Sequence, residues 1–180
     1  MVKNLRLEKP CHALDWLRLY SLYMEAFPPS ERKPFSKIRS MYRQGRADVW
    51  CIMDSGKLLG LATTVNSEKL ILLDYFAVHR KHRGRGIGTA AMKLLLENYH
   101  DRGFFLEIES TFEECTDREA RQKRKNFYLS CGLIAMGTEA QVFGVRMELL
   151  GVRCRLDFTD YRNFYREHYS PRAAEHLHEP

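Results

Sequence analysis

Three alternating glycines among basic residues form the part of the sequence best suited to bind an anion. Gly84, Gly86 and Gly88 follow an apolar run, residues 72–78, and apolar residues then recur at helical spacing from Ile87. Glycine lets a ligand approach the main chain, and the unpaired N–H groups and dipole at a helix start attract phosphates. The pattern predicts a phosphate-binding turn between a strand and a helix, with a solvated basic loop as the alternative. The surrounding basic residues are Arg80, Lys81, Arg83 and Arg85.

Two well-known phosphate loops can be compared with this turn. A P-loop requires Lys followed by Ser or Thr at the helix start, and the segment Ile87-Gly88-Thr89-Ala90 lacks that pair, so a P-loop is excluded. Residues 86–91 fit the dinucleotide fingerprint G-x-G-x-x-A, with Glu107 or Glu109 about 20 residues further on. However, seven residues separate the strand from this match, whereas the fingerprint glycine follows its strand directly. A dinucleotide-binding oxidoreductase is therefore the weaker alternative.

The predicted order of elements is a strand, two helices, a three-stranded meander, a helix, a strand, a helix and two strands. A Rossmann fold alternates strands and helices from its start, so the meander counts against it. We predict the α+β (α/β) class: a mixed, mostly antiparallel central sheet of about seven strands with a β-α-β crossover around the glycine turn. The predicted elements are residues 5–7, 14–26, 36–44, 49–53, 58–65, 70–78, 87–100, 104–110, 118–131, 134–139 and 142–149.

The glycine turn also matches a family signature. Arg83-x-x-Gly86-x-Gly88 resembles the Gln/Arg-x-x-Gly-x-Gly/Ala motif of the GCN5-related N-acetyltransferases (GNAT), and the element order resembles that fold over residues 5–149. The resemblance implies that backbone amides of the turn hold the pyrophosphate of acetyl-CoA, while the preceding strand pairs with the pantetheine arm. The implied coenzyme-binding residues are Phe76, Ala77, Val78, Arg83, Gly84, Arg85, Gly86, Ile87, Gly88, Thr89, Asn126 and Tyr128.

A second motif supports the same resemblance. Asn126-Phe127-Tyr128, followed by Gly132-Leu133, resembles the family's Asn and Tyr motif with its Gly-Phe turn, with Leu133 where Phe is usual. In the family the Tyr hydroxyl lies beside the coenzyme sulfur, which makes Tyr128 the candidate general acid. Core packing of the Phe-Tyr pair is the alternative.

Two carboxylates on the predicted strand 104–110 are candidates for the general base. Alternation places Glu107 and Glu109 on one face of this strand, and a buried carboxylate needs a partner or a function. An acceptor amine with a pKa of about 10.4 must lose a proton before it attacks a thioester, and a carboxylate can accept that proton. The structural alternative is ion pairing to basic residues: Arg102, Arg118 or Arg121.

A proline-rich segment between the first two helices suggests an acceptor side. Residues 27–34 resemble the Phe-Pro-x-x-Glu-Arg-x-Pro stretch of an uncharacterised bacterial subset of the GNAT superfamily. That resemblance places Glu31 and Arg32 near the acceptor, and Asp74 is a further candidate for substrate binding. A rigid connector with solvated side chains is the alternative.

Composition bounds the remaining classes. The chain has 180 residues, 44% of them apolar, and a net charge of +6 with dispersed Lys and Arg, which does not favour nucleic acid. Five cysteines without a C-x-x-C pair indicate free thiols in the cytoplasm, and we find no apolar run for a membrane span or secretion signal. His176 and His178 are weak evidence for a metal, so we expect none.

We expect an acetyltransferase domain over residues 1–150 and a helical extension over 151–180 that packs on it and ends in a flexible tail. The aromatic spacing from Phe158 to Tyr169 predicts the extra helix, with a dimer or partner surface as the alternative. The predicted function is direct acetyl transfer from acetyl-CoA to a primary amine of a small molecule or peptide, by a monomer or homodimer. The alternatives are a CoA-binding regulatory module without catalysis and the oxidoreductase.

Overall fold

The structure is a computed structural model that describes residues 4–180. The predicted fold class, mixed and mostly antiparallel with helices, is confirmed, and eight strands are present in the described chain rather than about seven. The helices and strands are β1 (Leu5–Glu8), α1 (Ala13–Ala26), α2 (Phe35–Arg43), β2 (Ala47–Asp54), β3 (Lys57–Asn66), β4 (Leu70–Val78), α3 (Ile87–Asn98), β5 (Gly103–Glu109), α4 (Arg118–Ser130), β6 (Ile134–Val142), β7 (Val145–Val152), α5 (Phe158–His168), α6 (Pro171–Ala174) and β8 (Leu177–His178).

The chain forms two compact units. Unit 1 contains the residues up to Asn66 together with Leu73–His100, and unit 2 contains Ser67–Leu72 and Asp101–Pro180. Unit 1 therefore carries the glycine turn, whereas unit 2 carries the predicted carboxylates and Tyr128. No helix within residues 4–180 has the length and apolar character required to span a bilayer.

In unit 1 the strands follow the order β1-β2-β3-β4, with β1, β2 and β3 antiparallel. The β2–β3 hairpin turns at Ser55 and Gly56, whose φ angles are 51° and 76°, as a two-residue hairpin loop requires. Gly60 of β3 allows a close approach to β4, because a Cβ at that position would lie 2.5 Å from the carbonyl oxygen of Ala77. Only glycine fits this contact without a backbone shift.

The two first helices pack on one face of the unit 1 strands. Leu19, Leu22 and Tyr23 of α1 and Ile38 of α2 are buried against strand residues that include Tyr75. The spacing of Leu14, Leu17, Tyr20 and Met24 selects a different stripe of α1, and the structure leaves that stripe exposed, with Leu17 63% accessible. Both faces of α1 carry large apolar side chains, so helical spacing did not determine which face is buried.

Helix α3 is anchored at both ends within unit 1. At its start, Ile87 and Ala91 are buried against Ile52 and Leu59. Just beyond its end, the Tyr99 hydroxyl donates to Asp48 Oδ2 at 2.6 Å. The start of α3, where the glycine turn lies, is thus fixed on a packed layer.

Unit 2 has the strand order β5-β7-β6-β8, with all three pairs antiparallel. The β6–β7 hairpin turns at Phe143 and Gly144, which have φ angles of 49° and 84°, and Val142 pairs with Val145. The predicted strands 134–139 and 142–149 therefore placed the turn about three residues too early, because β6 continues to Val142 and β7 begins only at Val145.

Candidate active site

The glycine turn has the backbone that its sequence predicts. Gly86 is the N-cap of α3 with φ 76° and ψ 2°, and Gly84 has φ 73°. A Cβ added at either glycine would meet no heavy atom within 4 Å, so the main chain here faces open space. The helix begins with an N–H bond from Ala90 to the Gly86 carbonyl at 3.0 Å, which leaves the earlier N–H groups of the first turn available to a ligand.

Basic side chains surround this turn. Arg80, Lys81 and Arg85 are exposed, and Arg83 is also exposed but its Nε donates to the Val78 carbonyl at 3.0 Å. The contact from Arg83 closes the turn back onto the end of β4. Open backbone, a helix start and cationic side chains together fit a pyrophosphate, so the residues present can hold the diphosphate of a coenzyme.

The strand before the turn contributes the remaining predicted coenzyme residues of unit 1. Phe76 and Val78 pack beside the α3 core, whereas Ala77 lies in the core under α1. The structure thus brings Phe76, Ala77 and Val78 directly before the turn, followed by Gly88 and Thr89 in the first turn of α3.

The proline-rich segment is held on β4 by the side chain of Tyr75, a residue not among the predicted site residues. The Tyr75 hydroxyl donates to the Glu31 carbonyl at 2.8 Å and accepts from the Lys33 N–H at 3.0 Å. The Tyr23 hydroxyl donates to the Lys33 carbonyl at 3.0 Å. Burial raises the pKa of Tyr75 above its usual range, so its phenol remains a donor at neutral pH.

The predicted acceptor residues have different surroundings. Asp74 Oδ1 lies 2.6 Å from Lys33 Nζ in a partly buried ion pair, so this carboxylate already has a cation from its own chain. Glu31 lies in a short 3-10 turn, Pro29–Glu31, and is exposed. The Arg32 side chain reaches back to α1, with Nη1 2.7 Å from Met24 Sδ.

The two carboxylates of β5 also have partners, all within unit 2. Glu109 forms ion pairs with Arg121, at 3.2 Å, and Arg124, at 2.9 Å. Glu109 therefore makes the ion pair with Arg121 that the structural alternative expected. The Tyr165 hydroxyl donates to the Glu107 carboxylate and lies 2.8 Å from Oε1 and 3.1 Å from Oε2.

A buried ion pair fixes the loop after β5. Glu148 of β7 is 4% exposed and accepts from Lys125 Nζ, and its other oxygen accepts from the N–H and hydroxyl of Thr111, each at 2.6 Å. Burial alone would raise the pKa of Glu148, but the hydrogen bonds from Lys125 and Thr111 outweigh it and lower that pKa. Asp117 occupies the N-cap position of α4, but its carboxylate makes no cap bond and instead accepts from Arg121 Nε at 3.0 Å.

Tyr128 is placed on the inner side of α4. Its side chain is 9% exposed, and burial raises its pKa to about 12. Asn126 is exposed, and its Oδ1 accepts from Gln122 at 2.9 Å. Gly132, with φ 95°, ends the helix as its sequence predicts, and Leu133 is buried.

Comparison with known proteins identifies the family of the chain. A family model described as "Acetyltransferase (GNAT) family" matches residues 16–133. The chain belongs to the GNAT acetyltransferase family. Membership confirms the prediction of an acyl-CoA-dependent N-acetyltransferase with acetyl-CoA as its cosubstrate. A search of curated proteins found no match.

Solved structures of other GNAT proteins share the fold. An acetyltransferase from Bacteroides thetaiotaomicron, described as a GNAT family protein, has 22% identity and a TM-score of 0.76. The match covers 93% of this chain and 98% of that chain. Spermidine N-acetyltransferase from Vibrio cholerae, in complex with CoA and spermine, has 14% identity and a TM-score of 0.62, over 83% and 95%. A Bacillus subtilis acetyltransferase in complex with CoA has 12% identity and a TM-score of 0.59, over 83% and 97%.

Several residues that hold the candidate segments of each unit in place were not predictable from the sequence. Tyr75, Lys125, Glu148 and Tyr165 each act through a partner distant in the chain, and no local spacing indicates such a partner. For Glu148 the sequence did contain one signal: a charged residue within a predicted strand, where a buried carboxylate needs a partner. Among residues 4–180, no group of three or more His, Cys, Asp or Glu side chains could hold a metal ion.

Proposed function

We propose that this GNAT protein transfers an acetyl group from acetyl-CoA directly to a primary amine of a small molecule. The observation that carries the proposal is the open turn at Gly86, where left-handed glycines, the start of α3 and exposed arginines together fit a pyrophosphate. When bound, acetyl-CoA supplies an acetyl group already activated as a thioester.

In this proposal the unit 1 residues hold the coenzyme. The N–H groups of the first turn of α3 donate to the pyrophosphate, and Arg83 and Arg85 add positive charge beside it. The backbone of Phe76, Ala77 and Val78 pairs with the pantetheine arm, and the unit 2 residues Asn126 and Tyr128 complete the coenzyme contacts. These roles are carried over from the family motifs onto matching positions.

The proton transfers are assigned to three side chains of unit 2. A carboxylate of β5, Glu107 or Glu109, accepts the proton that the amine loses as its nitrogen bonds to the acetyl carbon. The bond to sulfur breaks, and Tyr128 donates a proton to the thiolate. Its pKa of about 12 keeps the phenol protonated at neutral pH, which is the form a general acid requires.

The choice of acceptor rests on the proline-rich motif and on one structural neighbour. We place Glu31, Arg32 and Asp74 on the acceptor side, as the proline-rich motif suggests. One structural neighbour is a spermidine N-acetyltransferase bound to spermine, so polyamines are the first amines to test. A peptide amine is the second choice. A CoA-binding regulatory module without catalysis is the alternative.

Titration calorimetry with acetyl-CoA, NADH and NADPH tests the coenzyme assignment. We expect wild type to bind acetyl-CoA alone and Gly86→Glu, which adds bulk and negative charge at the turn, to lose that binding. Thiol release from acetyl-CoA is then measured with a panel of primary amines that begins with spermidine. Binding of a nicotinamide coenzyme would contradict the proposal, and binding without thiol release for any amine would support the regulatory module.

A further inference from the structure

The two carboxylates of β5 differ in the charge of the groups that hold them. The oxygens of Glu109 each meet a guanidinium, Oε1 at 3.2 Å from Arg121 and Oε2 at 2.9 Å from Arg124. Arg121 is itself only 12% exposed and also contacts Glu113 and Asp117. A proton that moved onto Glu109 would weaken this network of ion pairs, so Glu109 is suited to hold α4 in place.

Glu107 receives hydrogen bonds from a neutral donor. The Tyr165 hydroxyl lies 2.8 Å from Oε1 and 3.1 Å from Oε2, so one phenol spans both oxygens of the carboxylate. A neutral donor favours the charged form of the acid but can stay in place, as donor or acceptor, when that acid becomes protonated. This contact therefore orients the carboxylate in both protonation states.

The position of Tyr165 is fixed by aromatic packing. Its ring stacks on Tyr169 at 4.6 Å and meets Tyr161 edge-on at 5.2 Å, and the side chain is 3% exposed. On the same helix, Phe164 packs at 5.1 Å on Phe105, the residue one pleat before Glu107 on β5. Helix α5 thus docks on the strand at the level of Glu107.

Other groups of unit 2 also lie near Glu107. Tyr161 of α5 is fully buried, and burial and then the charge of Glu107 raise its pKa well above the usual range. On β7 the residue opposite Glu107 is Leu149, which is apolar. The titratable and charged groups of these elements near Glu107 include Tyr161, Tyr165 and, one pleat along, Glu109 with Arg121 and Arg124.

We infer, on the basis of the proposed function, that Glu107 rather than Glu109 accepts the proton of the amine and that Tyr165 is its positioning residue. The proton passes from the amine nitrogen to a Glu107 oxygen as the bond from nitrogen to the acetyl carbon forms and the bond to sulfur breaks. The C-terminal segment therefore supplies part of the catalytic machinery.

Kinetics of three variants test the base. With the amine that gives the fastest thiol release, we expect Glu107→Gln to lower kcat at least 100-fold and Glu109→Gln to lower it by about tenfold or less. Tyr165→Phe removes only the hydroxyl, and we expect kcat to fall about tenfold with the KM for acetyl-CoA unchanged. Tyr20→Phe, which removes an exposed hydroxyl on α1 outside this stack, is the control and should retain wild-type kcat.

The pH profile separates positioning from a general loss of structure. In Tyr165→Phe the acid limb of kcat/KM should move to higher pH by about one unit, because a donor that favours the carboxylate form is lost. Tyr20→Phe should leave that limb in place. An unmoved limb in a folded Tyr165→Phe protein, or a larger kcat loss for Glu109→Gln than for Glu107→Gln, would overturn the inference.

A measurement without an acceptor distinguishes this inference from the proposed function. In protein labelled with ¹³C at the glutamate carboxyl carbon, the resonance lost in Glu107→Gln is that of Glu107. We expect its titration midpoint to rise in Tyr165→Phe, and an unchanged midpoint would refute the positioning contact. If no amine is acetylated, the proposed function and the assignment of Glu107 as base both fail, whatever the titration shows.

Discussion

The glycine turn before α3 and the carboxylate face of β5 obtain their chemistry in opposite ways. The turn is local: its glycines, its helix start and its arginines lie in one stretch, and the contact from Arg83 to Val78 spans five residues. On β5 the carboxylates depend on distant partners, since Tyr165 lies 58 residues from Glu107 and Arg124 lies 15 from Glu109. A local site can be inferred from sequence spacing, whereas a site assembled by tertiary contacts requires the fold.

If contacts distant in sequence stabilise unit 2, the largest loss of stability should come from breaking the buried ion pair between Lys125 and Glu148. Lys125→Met leaves Glu148 charged and buried without its cation, and we expect the free energy of unfolding to fall by about 3–5 kcal/mol. Lys123→Met is the matched control on the same helix, because Lys123 pairs with Glu119 at a site where the side chains are 74% and 84% exposed. That control should cost under about 0.5 kcal/mol in urea unfolding. Equal losses would show that α4 does not depend on the buried pair.

A second test concerns burial of the proposed general acid. The pKa of Tyr128 is about 12 in the folded chain, and an unfolded tyrosine ionises near 10. Above pH 10 the unfolded state therefore loses its proton first, and stability falls as pH rises from 10 towards 12.

Tyr128→Phe should remove about 2 kcal/mol of that loss when urea unfolding is measured at pH 8 and pH 11.5. Tyr20→Phe, on the exposed stripe of α1, is the control and should lose stability with pH as wild type does. Identical pH dependence in Tyr128→Phe and wild type would contradict the burial of this phenol.

A smaller effect tests the local character of the glycine turn. Gly86→Ala places a side chain at φ 76°, which costs about 1 kcal/mol of stability, and crowds the pyrophosphate position, so affinity for acetyl-CoA should fall about tenfold. Gly45→Ala carries a similar φ of 70° beyond the end of α2. It should show the same loss of stability in thermal unfolding and unchanged affinity in calorimetry. If both variants lose affinity equally, the turn has no special role in coenzyme binding.

The smallest effect tests the face of α1. Leu17→Gln alters a side chain that is 63% exposed, and we expect the free energy of unfolding to change by under about 0.5 kcal/mol. Leu22→Ala on the opposite face should cost about 2–5 kcal/mol, because Leu22 is 4% exposed. A large loss from Leu17→Gln would mean that this stripe is covered in solution.

These contrasts explain which parts were predictable. The bounds of β4 and the start of α3 at Ile87 were correct because an apolar run and a glycine turn mark them locally. The buried face of α1 could not be chosen from spacing, because both stripes of that helix carry large apolar side chains. The turn at Phe143 was misplaced because a non-glycine residue occupies a left-handed position there. The partners of Glu107 and Glu148 were not predictable, since local periodicity contains no information on pairs more than 20 residues apart.

The close contact at Gly60 has a consequence for mutational tolerance. A library of all single substitutions should accept almost nothing at position 60, because any side chain would push against the Ala77 carbonyl in a strand that precedes the coenzyme turn. Gly56 sits four residues earlier at the exposed hairpin tip, with open space around it, and should accept Asn or Asp. Two glycines of one hairpin should thus differ sharply in how many substitutions they tolerate.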